Sequence, residues 1–396
     1  MVITFVSNYI NHHQIPFCEA MKELIGDSFH FIQTMPMEEE RIKMGWAVDP
    51  KDYSYVELFY EDKEKCSSLI MDSDVVILGW TEGLISKLEE KRLSSGKLTF
   101  RLSERIYREG QWKAISPKGL IRKYHEHYKY RKMPVYLLCA GAYVASDFEL
   151  IRSYPDKKLK WGYFPDRKMD ISEKRPVEGR KIKLSWTGRL IKLKHPEFAV
   201  EIAKLLKEKG YDFELTFVGD GNQREALGEK TKEYGLSEQI SFKGNLDPAD
   251  AFKAMAEADI QLFTSNYLEG WGAVVNEAMQ CGNAVVASYE AGAVPFLIQD
   301  GVNGLSYKNG DYSEFAKKVL YLFERKDKIL QFGSNAKKTI EEVWNAKNAA
   351  KELLRFSNEF LEGRKPSFSS EGPVSKAEII KPAGIKRCFQ EDNHLE

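Results

Sequence analysis

Long apolar runs are missing from this chain: stretches such as 75–78 and 284–287 fall far short of the ~20 residues that cross a bilayer, which excludes a transmembrane helix. The N-terminal MVITFVSNYINHH has neither a basic region nor a long apolar core, so it reads as a first strand and not as a signal peptide. Cysteine is scarce. Cys18, Cys66, Cys139, Cys281 and Cys388 are odd in number and show no CxxC spacing, which argues against a disulfide framework or zinc ribbon and fits a reducing cytoplasm. Net charge is absent too, with 59 Lys and Arg against 59 Asp and Glu. Hydrophobic residues, by contrast, make up 43% of the chain, far too many for disorder to be its main state. The 396 residues suffice for two domains or one large one, at roughly 100–200 residues each. Neutrality also hides an asymmetry: residues 1–100 carry 10 Lys/Arg and 17 Asp/Glu, whereas residues 101–132 carry 10 and 3.

Short β-branched or aromatic runs alternate with amphipathic stretches, the pattern of parallel sheets with helical crossovers. Strands are predicted at 2–7, 29–34, 75–79, 97–102 and 135–139, with helices at 15–25, 63–71 and 84–93. Pro165, Pro176 and Gly179 mark an interdomain linker over 161–180. A second series follows, with strands at 182–187, 214–218, 240–242, 260–264, 284–288 and 305–307. Its helices fall at 196–209, 223–234, 249–258, 274–280 and 313–323, and a longer helical set spans 327–361. The tail after Arg364 reads as irregular. The fold class is therefore α/β, with two doubly wound Rossmann-like domains (1–165 and 166–340) facing each other across a cleft. Residues 341–396 form a C-terminal helix, able to cross back to the first domain, and a tail. Such sheets bind ligands beyond the carboxyl ends of their strands, so the cleft is the expected site.

The most informative stretch is 263–288, FTSNYLEGWGAVVNEAMQCGNAVVAS. A strand ends near Thr264, a loop carries Glu269-Gly270-Trp271-Gly272, and a helix follows with Glu277 in its first two turns. Glycines flanking Trp271 let backbone approach a ligand, and the helix start offers unsatisfied N–H groups to a phosphate. A strand–turn–helix unit bearing two solvated glutamates is an equally open reading. In 184–199, LSWTGRLIKLKHPEFA, a buried strand is followed by Gly188, Arg189 and Lys194. Two cations at a strand's carboxyl edge suit a diphosphate, and a basic surface loop is the alternative.

Together these segments resemble the nucleotide-sugar-binding half of the GT-B retaining glycosyltransferases of family 4. The likeness rests on Gly188-Arg189-Leu190 with Lys194, on Glu269-Gly270-Trp271-Gly272, and on Glu277-Ala278-Met279 with Gly282. FVGDGNQREAL (217–227) and ISFKGNL (240–246) stand in the right order between them. The resemblance implies that Arg189 and Lys194 hold the donor diphosphate and stabilise charge on the leaving nucleotide. It implies that Glu269 contacts the donor sugar and Glu277 the ribose. Backbone at Gly188, Gly219, Gly270, Trp271, Gly272 and Ala273 would approach sugar and phosphates, and Lys243 to Leu246 would lie near the base. It further implies a nucleotide-sugar donor and a glycan or lipid-linked saccharide acceptor. With the cations Arg189 and Lys194 in place, no divalent metal and no cofactor are expected, and the expected location is the cytoplasm or, through the basic block 101–132, the inner face of the plasma membrane. An epimerase or phosphorylase of the same fold, or a nucleotide-binding module without catalysis, remains open.

The first half departs from the family pattern. Where a glycine-rich loop is usual, Val6 to Gln14 carries Asn11, His12 and His13, which could face the cleft from the end of a strand. The usual histidine after a later strand is replaced by LTFRLSERIY, which leaves Glu104 as the candidate for polar contact or base. Three further patterns read as false leads. Asp72-Ser73-Asp74 lacks the remainder of a metal-dependent pattern. Gly219-Asp220-Gly221 has Arg224 where a dinucleotide fingerprint needs a third glycine. His125-Glu126-His127 lacks the i, i+4 spacing of a metal pair. The basic block 101–132 is open to three readings: a solvated helical face, contact with an anionic membrane surface, or nucleic-acid binding. The motifs argue against the last, and no nucleic-acid partner is expected.

Overall fold

The computed structural model describes residues 1–39, 42, 48–165, 174, 176–177 and 179–382. The first part of the chain contributes β1 (Ile3–Ser7), β2 (Phe29–Gln33), β3 (Val56–Leu58), β4 (Val75–Leu78), β5 (Thr99–Ser103), β6 (Val135–Ala140) and β7 (Lys158–Trp161). They form one parallel sheet in the order β3-β2-β1-β4-β5-β6-β7. Every residue of β1 and β4 is buried, because helices cover both faces of a parallel sheet; hence β4 reads as an unbroken apolar run, and β1 buries Thr4 and Ser7 among its apolar residues. Asp62 caps helix Lys63–Asp72 by accepting the Lys65 N–H at 2.9 Å, and a proline opens helix Ile15–Ile25.

The second part contributes β8 (Ile182–Thr187), β9 (Phe213–Val218), β10 (Ile240–Phe242), β11 (Ile260–Phe263), β12 (Ala284–Ser288) and β13 (Leu305–Tyr307). Their order is β10-β9-β8-β11-β12-β13, again all parallel. Trp186, Phe213, Phe217 and Phe315 lie in the core between this sheet and its helices. The chain divides into two compact units, one of Met1–Asp166 with Trp344–Lys381 and one centred on Arg167–Val343. The helical set expected at 327–361 is two helices, Lys326–Glu342 in the second unit and Ala346–Leu361 in the first. Ala346–Leu361 packs on helix Ile15–Ile25, and Phe356 meets Phe100 and Tyr136 edge-on at 5.5 and 4.8 Å.

Several expectations need correction. β3 and β7 escape the sequence pattern because edge strands carry charges among few apolar residues, as in KLKW. The linker drawn from residue 161 starts inside the first unit: Trp161 ends β7 and packs on Phe17 and Phe164. Much of 166–178 lies outside the described residues. The tail is not wholly loose. Residues 374–377 run antiparallel along β7, where the Val374 and Ala377 amides donate to the Lys160 and Lys158 carbonyls at 2.8 and 2.9 Å. Cys18, Cys66, Cys139 and Cys281 are buried thiols; Cys388 lies outside the described residues.

The basic block is not a uniform solvated face. Arg105 donates to buried Asp147 at 3.2 and 3.3 Å. Arg101 donates to the Glu126 carbonyl and to the Tyr154 hydroxyl, and lies 3.0 Å from His127 Nδ1. Burial, with Arg101 and Lys123 nearby, holds His127 well below the usual histidine range. His127 is thus a neutral interior group, and His125-Glu126-His127 ends helix Pro117–Glu126. Asp72-Ser73-Asp74 likewise joins strands: Asp74 accepts the Val2 N–H at 2.7 Å, and Ser73 shares a hydrogen bond with Thr4.

Candidate functional site

In the second sheet β8 has β9 on one side and β11 on the other, so the connections leaving β8 and β11 diverge and open a crevice at their carboxyl ends. The loop after β8 carries Gly188, Arg189 and Lys194, and the loop after β11 carries Glu269 to Gly272. The topology thus brings together the two segments singled out in the sequence. Lys194 Nζ donates to Glu269 Oε2 at 2.5 Å, and both side chains are largely buried. Arg189, in the same loop as Lys194, is exposed, with no ion pair among the described residues.

Lys194 is held by groups that the sequence reading did not single out. The Trp186 indole donates to Thr264 Oγ1 at 2.8 Å, and that hydroxyl donates to the Lys194 carbonyl at 2.6 Å. The Asn266 amide reaches the Leu193 carbonyl at 2.8 Å. Lys192–Lys194 forms one 3-10 turn, closed by His195 in the left-handed region at φ 46°. His195 pairs with Glu197 at 2.7 Å through Nδ1 and approaches Asn266 Nδ2 through Nε2. No local sequence signal marks Thr264 or His195; a polar residue directly after a buried strand is the faint one.

Backbone packing shapes the same corner. Gly219 has φ 122°, and a Cβ there would lie 2.0 Å from the Gly188 carbonyl oxygen. A Cβ at Gly221 would lie 2.4 Å from the Leu190 carbonyl oxygen. The two glycines of the apparent fingerprint therefore let the β8 and β9 loops touch backbone to backbone. Gly272 has φ 95° and leaves room only for the Phe263 ring, 2.7 Å from its hypothetical Cβ. It starts helix Ala273–Gln280, whose first amides receive no side-chain cap. Glu277 follows on that helix, half-buried one turn beyond Ala273. The Trp271 indole points inward and donates to Asn276 at 2.7 Å, so this tryptophan offers the crevice only its backbone, next to Gly270. Lys243 and Leu246 are exposed after β10, where the Gly244 carbonyl accepts the Gly219 N–H at 2.8 Å.

In the first unit the loop after β1 is knitted by its own side chains. Asn11 Oδ1 accepts the His13 N–H at 3.0 Å, and Gln14 Nε2 donates to Ser7 Oγ at 3.2 Å. His12 and His13 lie ring to ring at 3.9 Å, and His13 stacks on Tyr163 at 4.9 Å. The Tyr163 hydroxyl donates to Glu104 Oε1 at 2.5 Å, while Glu104 Oε2 pairs with Arg108. Histidine and glutamate, predicted separately, are thus joined through a tyrosine hidden in the supposed linker. Both carboxylate oxygens of Glu104 are engaged, an arrangement that orients polar ligands more readily than it abstracts a proton. Among the described residues no group of three or more His, Cys, Asp or Glu is placed to hold a metal ion.

Residues 167–339 match the family described as glycosyl transferases group 1. The glycosyltransferase MJ1069 of Methanocaldococcus jannaschii is 35% identical over 179 residues, 44% of either chain. The amylovoran biosynthesis glycosyltransferase AmsK of Erwinia amylovora is 28% identical over 171 residues, 42% of either chain. The match therefore spans less than half of each relative. Among solved structures, Alr3699/HepE of Anabaena, crystallised with UDP, superposes with a TM-score of 0.66. It covers 92% of this chain and 100% of its own at 16% identity, a likeness of fold.

Proposed function

We propose that this chain, whose residues 167–339 match the family described as glycosyl transferases group 1, is a member of that family and transfers a sugar from a nucleotide-sugar donor to a glycan or lipid-linked saccharide. The reading rests on one observation, the Lys194–Glu269 pair at the switch point between β8 and β11. Lys194 and Arg189 neutralise the diphosphate, whose charge grows as the glycosidic bond breaks, so their attraction is strongest in the transition state. Glu269 orients the hydroxyls of the donor sugar. Glu277 accepts from the ribose, and the uncapped amides of helix Ala273–Gln280 meet phosphate. Transfer proceeds with retention, without a divalent metal, at the cytoplasmic face of a membrane. His13, Tyr163 and Glu104 hold the acceptor.

UDP-sugars are the first donors to test, since HepE has been crystallised with UDP-glucose. Thermal shift with a panel of nucleotide sugars, followed by nucleotide release on addition of a saccharide acceptor, tests the reading. Release that depends on the acceptor supports it. Turnover without acceptor points instead to an epimerase, and binding of every donor with no turnover points to a module without catalysis.

A further inference from the structure

Helix Pro117–Glu126 is amphipathic, but its apolar side faces outward. Leu120, Ile121 and Tyr124 are 44%, 63% and 50% exposed, whereas Lys123 is buried. At 3.6 residues per turn the three apolar side chains share an arc of roughly 100°, opposite Gly119, Lys123 and Glu126. The preceding turn adds Trp112, 42% exposed, and Ile115, 80% exposed. Five large apolar side chains thus reach solvent within thirteen residues, although monomers seldom expose contiguous apolar patches.

The orientation is locked from within. Gln111 Nε2 donates to Ser146 Oγ and Asp147 Oδ1, both at 2.9 Å, and Asp147 also accepts the Tyr107 N–H at 2.9 Å. At the other end Arg101 holds the Glu126 carbonyl, and Lys123 Nζ donates to Glu126 Oε2 at 2.8 Å. Rotating the helix to bury Ile121 would break the Arg101 bond to the Glu126 carbonyl.

Charge selects the occupant of this surface. Residues 111–132 carry seven Lys and Arg against a single acidic residue, Glu126. Lys118, Arg122 and Lys132 are exposed in the same stretch, Arg122 paired with Glu126 at 3.4 Å. A second copy of the chain would bring two such cationic fields together, which is repulsive. An anionic bilayer offers both complements at once, acidic headgroups for the cations and an acyl boundary for the apolar side chains. We propose that Trp112, Ile115, Leu120, Ile121 and Tyr124 form a wedge that inserts into an anionic membrane surface, drawn there by Lys118, Arg122 and Lys132.

The surface lies outside the donor-binding residues, so its test is independent of donor chemistry. Flotation of the full chain is compared on phosphatidylcholine vesicles with and without phosphatidylglycerol, at low and high salt. The wild type binds the anionic vesicles at low salt. Both Ile115→Ser/Ile121→Ser and Lys118→Gln/Arg122→Gln/Lys132→Gln lower its partitioning by about tenfold or more, with unchanged melting. A polarity-sensitive dye on Ile115→Cys shifts to the blue with those vesicles. Failure of the wild type to float at low salt, equal flotation on neutral vesicles, or wild-type binding by both variants overturns the proposal. So does a dimer in sedimentation velocity that Ile121→Ser dissolves, because the face would then be a self-association surface.

Discussion

Lys194 and Glu269, 75 residues apart in the chain, meet at 2.5 Å because β8 and β11 are neighbours in the sheet. A pair this far from bulk water matters to both partners: the ammonium neutralises the carboxylate and limits the rotamers of each side chain. An anionic diphosphate would share the ammonium with the carboxylate, which couples recognition of sugar and phosphate. Lys194→Ala and Glu269→Gln are accordingly expected to be non-additive in donor binding, by about 0.5–3 kcal/mol in a double-mutant cycle read by calorimetry.

The two glutamates separate by ligand. Glu277→Gln weakens bare nucleoside diphosphate about tenfold or more, the loss of a charge-assisted acceptor worth roughly 1.5–3 kcal/mol. Glu269→Gln leaves that affinity nearly unchanged and lowers turnover. Arg189→Ala depresses kcat more than donor affinity. Titration of the diphosphate paired with steady-state rates distinguishes these outcomes, and the opposite pattern for the glutamates reverses their roles.

Activity is expected to survive EDTA, since Arg189 and Lys194 supply the cationic charge that a metal would otherwise bring. Loss of turnover in EDTA, restored by manganese, would contradict this.

Thr264→Val removes the hydroxyl between the Trp186 indole and the Lys194 carbonyl. Two polar groups then lose a partner, at about 1–3 kcal/mol each. Lower thermal stability and a lower kcat are expected together, and Thr264→Ser should recover most of both.

Gly219→Ala tests the backbone contact with Gly188. Its Cβ would meet a carbonyl oxygen at 2.0 Å, whereas at Gly96, also of positive φ, nothing lies within 4 Å. Urea midpoints should fall much further for Gly219→Ala than for Gly96→Ala, which bears only the left-handed backbone penalty of about 1 kcal/mol.

His127 gives the stability a pH dependence of known sign. Its folded pKa lies well below the ordinary value, so between the two the unfolded chain binds the extra proton. The contribution is complete above about pH 6.5 and is lost as pH falls toward the folded pKa, by at most ~1.4 kcal/mol per unit. Arg101, Lys123 and Arg122 oppose the charged ring, and Glu126 lies 3.7 Å from Nε2. His127→Gln should flatten the urea-midpoint profile between pH 5 and 6.5 relative to wild type.

Most strands and helices were legible because their signals are local. Fully buried parallel strands are mostly apolar on both faces, so β4 announces itself as a continuous run and β1 and β12 as nearly continuous ones. Pro16 and Asp62 mark helix starts through chemistry confined to one turn. β7 stays hidden because it is only four residues long and two of them are lysines, although most of the strand is buried. Gly188, Arg189, Lys194 and Glu269 to Glu277 were legible as motifs, whereas the Trp186–Thr264 support beneath them was not.

Local sequence signals supply the inventory: two series of strands, the cations after β8, the carboxylates after β11, and a cationic block at 101–132. Partnership and direction were decided only in three dimensions. Lys194 finds Glu269 because β9 and β10 are laid to one side of β8, leaving β11 to pair on the other. Tyr163 joins His13 to Glu104 because β7 returns beside β6 in the sheet that carries β1 and β5. In helix Pro117–Glu126 a lysine turns inward and an isoleucine outward, with Arg101, far away in the chain, holding the Glu126 carbonyl. Strand order and helix rotation arise from long-range packing and hydrogen-bond satisfaction, which no window of neighbouring residues contains.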